Sequence, residues 1–102
     1  MKIINVETLT VAQNGTYELA LTKNQPGDTV VSEVYFDTTA AFTLQGTVDG
    51  TTWRSLKVVN MGTLEKADSA AANGYYMVPA AGLKALKLTA GGAGTVVIKK
   101  NY

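Results

Sequence analysis

The feature that most constrains this chain is alternation. Apolar and polar side chains exchange places at every second residue through most of the sequence. Turn-forming residues interrupt them at a spacing of roughly 8–12 residues, as expected of short strands in an all-β domain. Residues 3–11 (IINVETLTV) are rich in Ile, Val, Leu and Thr and lead to the turn signal Asn14-Gly15. Residues 16–22 (TYELALT) alternate, with Tyr17, Leu19 and Leu21 facing one way, and Pro26-Gly27 marks the next turn. Residues 29–36 (TVVSEVYF) predict a strand with Val30, Ser32, Val34 and Phe36 opposite Val31, Glu33 and Tyr35. Strands follow over 41–48 (AFTLQGTV) and 52–59 (TWRSLKVV), joined at Asp49-Gly50, a strong hairpin signal. Residues 60–74 do not alternate and predict a long loop. Beyond it come 75–78 (YYMV), closed by Pro79, then 84–90 (KALKLTA) and 95–100 (TVVIKK) after Gly91-Gly92-Ala93-Gly94. The sum is an all-β fold: an antiparallel β-sandwich, jelly-roll-like, of about eight strands. One domain spans 1–102, with no internal repeat and no linker.

The central hairpin contains the only tryptophan, Trp53. Which face it takes depends on loop parity, because a slip of one residue flips every side chain. An odd loop sends Leu56 and Val58 to the side of Phe42 and Leu44 and puts Trp53 on the other side, beside Gln45 and Thr47. An even loop does the reverse, burying the indole and exposing the two aliphatics. The aliphatic pattern favours the odd loop, while the area of the indole favours the even one. Gly46 suits either, since a missing side chain leaves room for a neighbouring ring.

Composition narrows the chemistry. The chain has no cysteine and no histidine, which removes disulfides, thiolate metal sites, cysteine nucleophiles and imidazole acid–base catalysis. Most of its eight acids fall singly in turns or at outward strand positions, where a solvated surface role is expected. No serine stands in a nucleophile elbow, and Gly91–Gly94 lacks the lysine and helix of a phosphate loop. The expectation is a protein that is not an enzyme and binds neither cofactor nor metal. Nine basic residues against eight acidic ones give a net charge of +1, which argues against nucleic-acid binding by charge. Apolar runs are far shorter than the ~20 residues of a membrane span. No apolar h-region follows residues 1–7, so neither membrane nor secretory targeting is expected. Charged residues make up only 17% of a chain that is 46% apolar. This predicts that some apolar surface faces other subunits.

The order of segments carries a resemblance. The run 42–56 (FTLQGTVDGTTWRSL), then 73–88 (NGYYMVPAAGLKALKL), then 94–98 (GTVVI) resembles small β-sandwich proteins of bacteriophage particles: head-fibre, head-decoration and tail-associated domains. It covers about residues 40–99, and the first 39 match nothing in that family. Two other families share only the hairpin. It is similar to one in discoidin-like carbohydrate- or lipid-binding sandwiches. It is also similar to the Asp-box of sialidase propellers, although one residue shorter and present in a single copy. The virion resemblance implies a non-enzymatic structural accessory, made in the host cytoplasm and carried on the virion. Its partners would be the major capsid protein or other virion proteins and sister copies, with a homotrimer favoured.

Several residues remain as candidates. Asp49 and Gly50 are read as the hairpin turn. Trp53, Tyr75 and Tyr76 are the candidate interface or ligand aromatics. Tyr75 and Tyr76 stand on opposite faces of one strand, so one is inside and the other out. An outward tyrosine near Trp53 would suit either a glycan platform or a protein contact. The alternative function is thus a carbohydrate-binding or host-receptor-binding module. Lys84, Lys87, Lys99 and Lys100 are expected on edge strands, where lysine opposes edge-to-edge pairing, and residues 60–74 suggest a contact arm.

Overall fold

A computed structural model describes residues 4–21 and 31–101. The Pro26-Gly27 turn and the expected strand residues 3, 22, 29 and 30 lie outside the described residues. Among the described residues ten strands form, all paired antiparallel: β1 (Ile4–Val11), β2 (Thr16–Ala20), β3 (Glu33–Thr38), β4 (Phe42–Thr47), β5 (Arg54–Leu56), β6 (Val58–Asn60), β7 (Lys66–Ala67), β8 (Gly74–Pro79), β9 (Ala85–Ala90) and β10 (Gly94–Asn101). They divide into a six-stranded sheet, β1-β10-β3-β8-β6-β7, and a four-stranded sheet, β2-β9-β4-β5. In the order β1-β10-β3-β8 against β2-β9-β4-β5, sequence neighbours 1 and 2, 3 and 4, and 9 and 10 hold matching positions in the two sheets. That is the wrapping of a jelly roll, with β6 and β7 prolonging the larger sheet beyond β8.

Alternation selects the core. Val34 and Phe36 on β3, Phe42 and Leu44 on β4, Val78 on β8, Leu86 and Leu88 on β9, and Val96 and Ile98 on β10 all point between the sheets and are buried. Phe36 and Phe42 meet across the layers with ring centroids 5.1 Å apart, and Tyr76 meets Phe42 edge-on at 6.4 Å. Lys100, also on the inward side of β10, reaches across the layers. Its ammonium donates to the Ala20 carbonyl at 3.2 Å and lies 3.4 Å from Glu7.

Two more strands form than the sequence pattern suggests, for two reasons. The segment 52–59 is not one strand. It pairs with β4 as far as Leu56, opposite Leu44, then leaves at Lys57 and enters the other sheet, where Val59 pairs with Met77. Leu56 and Val58 both turn inward, but from opposite layers. Ala70 then fills the place β5 has vacated, exchanging backbone hydrogen bonds with Phe42 (3.1 and 2.8 Å). Residues 60–74 are accordingly not a free arm. Asn60 closes a tight turn through its side chain, accepting from the Gly62 and Thr63 amides, and β7 pairs back onto β6.

One local device occurs twice, so the chain does contain a short repeat that its alternation conceals. Ala12-Gln13-Asn14-Gly15-Thr16-Tyr17 and Ala71-Ala72-Asn73-Gly74-Tyr75-Tyr76 share the form A-x-N-G-x-Y. Each asparagine takes a left-handed φ (63° and 61°), which Asn tolerates better than most residues. Each tyrosine ring folds back over the glycine, where a Cβ would stand 2.6 Å from Tyr17 Oη or 2.8 Å from Tyr76 Cε2. Each hydroxyl accepts the alanine amide five residues earlier, at 2.9 Å in both copies.

Candidate functional site

The hairpin between β4 and β5 is fixed by Asp49. Its Oδ1 accepts from the Thr51 amide (2.8 Å), the Thr52 amide (2.9 Å) and the Thr47 hydroxyl (3.0 Å). Thr47 Oγ1 in turn accepts the Gly50 amide at 2.9 Å, and Gly50 takes a φ of 90°. These donors, the two backbone amides foremost, hold the Asp49 carboxyl well below the usual carboxylate range. Asp49 and Gly50 are thus committed to the turn, although Asp49 is exposed.

The register Leu44–Leu56 and Gly46–Arg54 leaves an odd number of residues, 47–53, between the paired Gly46 and Arg54, which sends Trp53 to the outer side. There the Lys87 ammonium lies 4.1 Å from the centre of the indole ring. The space at Gly46 is taken not by a ring but by the methyl groups of Leu56 and Leu83, 2.7 and 3.1 Å from where a Cβ would stand.

Tyr76 is buried, 4% exposed, and Tyr75 is 65% exposed. Tyr75 does not join Trp53, however. Trp53 lies outside the four-stranded sheet and Tyr75 outside the six-stranded one, with the whole sandwich between them. The expected lysine placement also fails. Lys87 lies on β9, between β2 and β4, while Lys99 and Lys100 lie on β10, between β1 and β3. Only Lys84 is outside a strand, in the turn before β9. No edge strand carries any of the four; alternation tells which face a lysine takes, not which strand ends up at an edge.

The two outer faces differ in chemistry. Across the four-stranded sheet the register gives Glu18, Lys87, Gln45 and Ser55 in one row and Thr16, Thr89 and Thr43 in the next. Both rows are polar. Across the six-stranded sheet one row reads Val6, Lys99, Tyr35, Met77, Val59, Lys66 and the next Thr8, Val97, Asp37, Tyr75. Val6 is 60% exposed, and Met61, whose amide donates to the Tyr75 carbonyl, extends the second row. Side chains from both rows line an open trough of about 490 Å³ with almost wholly apolar walls. The Tyr35 hydroxyl donates to Glu33 Oε2 at 2.5 Å at one margin; this hydrogen bond pushes the phenol pKa up. Sequence reasoning identified Tyr75 but missed Val6, Tyr35, Met61 and Val97. They come from separate segments that only the sheet register unites. Among the described residues no group of three or more acidic or other metal-ligating side chains converges.

No protein-family model and no curated protein sequence matches the chain. Solved structures do. The SPBc2 prophage-derived protein YomS superposes with a TM-score of 0.71 at 14% identity, over 98% of this chain and 96% of its own. The PBSX exported protein XepA gives 0.63 at 13% identity, over 96% of this chain and 37% of its own. At such identities the likeness establishes a shared fold.

Proposed function

We propose that the chain is a structural accessory protein of a bacteriophage particle, a capsid decoration or head-fibre element. In this reading it acts by binding, through the outer face of the six-stranded sheet, and turns over no substrate. The observation that carries it is the one-sidedness of the sandwich. An apolar, aromatic face backed by a polar one is the pattern of a surface meant to be covered by protein. The prophage origin of YomS, which shares the fold, supports the phage setting, as does the order of segments from residue 40 onward.

The test is to purify particles from the phage or lysogen whose genome encodes the chain and to quantify it by mass spectrometry. Regular copy number in washed particles, with antibody access from outside, is the expected result. Presence in the lysate but absence from the particles overturns the proposal.

A second reading, a carbohydrate- or receptor-binding module, draws on exposed Tyr75 beside the Asp37 carboxylate. It draws nothing from Trp53, one face of which is already covered by Lys87. Glycan-array binding abolished by Tyr75→Ala would favour this reading over the first.

A further inference from the structure

We propose that the apolar face of the six-stranded sheet pairs with the same face of a second copy of the chain, about a two-fold axis midway between Asp37 and Lys99. This names the partner for the surface assigned above and rests on that assignment. The argument begins with two opposite charges at the middle of this face, Glu33 and Lys66 lying at its margins. Lys99 lies opposite Val6 and Tyr35, and Asp37 opposite Val97 and Tyr75. The two are diagonal neighbours on adjacent strands, about 7–8 Å apart at Cα on a common face. Yet neither joins an ion pair among the described residues, and the Lys99 ammonium lies 6.0 Å over the Tyr35 ring instead. A stranger protein would need its own opposite charges at that spacing. A second copy has them already. A dyad parallel to the sheet and bisecting the Asp37–Lys99 line places each carboxylate over the other copy's ammonium, which is the self-complementarity an isologous contact requires.

Area and closure agree. Strands of about six residues, ~3.4 Å per residue, set side by side at ~4.8 Å, give a six-stranded face of roughly 500–600 Å². With the axis between β10 and β3, the outer sides of β1, β10, β3 and β8 overlie their counterparts, so pairing removes on the order of 800–900 Å² in all, the size of a weak, reversible contact. The dyad uses this face of both copies, so the pair closes on itself without growing into a filament. The resulting association is two-fold, in place of the threefold ring favoured from sequence.

The test is charge reversal in solution. Wild type is expected to run at twice the 10.7 kDa chain mass in light scattering. Asp37→Lys makes both cross-pairs lysine against lysine, and Lys99→Glu makes both acidic. Each variant should weaken self-association by at least about a hundredfold and run as a monomer. Mixed in equal amounts, the two restore both opposite-charge pairs and should form a heterodimer. Should either reversal unfold the chain, Tyr75→Ser takes its place, with loss of the dimer expected. A monomeric or trimeric wild type overturns the proposal, as do single variants that still dimerise or a mixture that stays monomeric. None of these measurements involves a phage particle, so a failed pairing is distinguishable from a failed virion assignment.

Discussion

The repeated A-x-N-G-x-Y turn offers a controlled experiment in one molecule, because the same hydroxyl can be deleted twice in the same local geometry but at different depths. Tyr76 is 4% exposed, and its hydrogen bond from the Ala71 amide is partly buried. Tyr76→Phe leaves that amide without an acceptor where water cannot readily replace it, which costs about 1–3 kcal/mol. The bond from Ala12 to Tyr17 is exposed. Water takes over as acceptor there, and Tyr17→Phe costs about 0.5 kcal/mol or less. For a domain of this size each kcal/mol shifts the midpoint by about 4–8 °C, so Tyr76→Phe should lower Tm by roughly 5–20 °C and Tyr17→Phe by a few degrees. Urea titrations give the free energies directly, and an unchanged m-value shows that the comparison is between equally compact states. The glycines provide a second axis. A Cβ at Gly74 meets the Tyr76 ring at 2.8 Å. That ring is buried against Phe42, whereas Tyr17 is only partly buried at the margin of the core, so Gly74→Ala should cost more than Gly15→Ala. Equal losses from the two Tyr→Phe changes, or a larger one at Tyr17, would refute the argument that burial sets the value of this bond.

Two further outcomes follow from the β4–β5 hairpin. Asp49 is ionised more readily in the folded chain than in the unfolded one, so its contribution is complete above its ordinary pKa of 3.8 and fades as the pH falls through the depressed folded value. The stability gap between wild type and Asp49→Asn should be flat at neutral pH and narrow in acid; a gap that widens in acid sinks the linkage. Gly46→Val forces the methyl groups of Leu56 and Leu83 aside. It should cost about 1–3 kcal/mol in urea unfolding, with Gly46→Ala costing less; no loss for valine would show that the two leucines are free to move.

What the sequence discloses here is which side chains want burial; what it withholds is which strands are neighbours. Alternation over 16–22, 41–48 and 84–90 selects Leu19, Leu21, Phe42, Leu44, Leu86 and Leu88, all of which are buried, but also Val48, which is 71% exposed because β4 ends at Thr47. The break at Lys57 is invisible to it, because Leu56 and Val58 satisfy the same period whether they share a sheet or belong to two. The two-residue β7 is too short to show any period. Tyr75 and Trp53 both read as outward aromatics, but the side of the sandwich each occupies depends on the crossings between them. The trough was hidden for the same reason: Val6, Tyr35, Tyr75 and Val97 are each unremarkable outward positions until β10 is inserted between β1 and β3. The repeated turn was legible as six letters seen twice, yet its meaning lies in a ring folding back over a glycine.

The place of β10 has a consequence for how the chain matures. It follows the nine other described strands in sequence, yet it lies between β1 and β3 and pairs with both along most of its length. While a ribosome is still making residues 94–101, β1 has no partner in its sheet and β3 has only β8, each with an open ladder of amides and carbonyls. The larger sheet therefore cannot be zipped in the order of synthesis. Nascent chains paused before residue 94 should be the species most prone to pair with one another, and the gap closes only when residues 94–101 slide in.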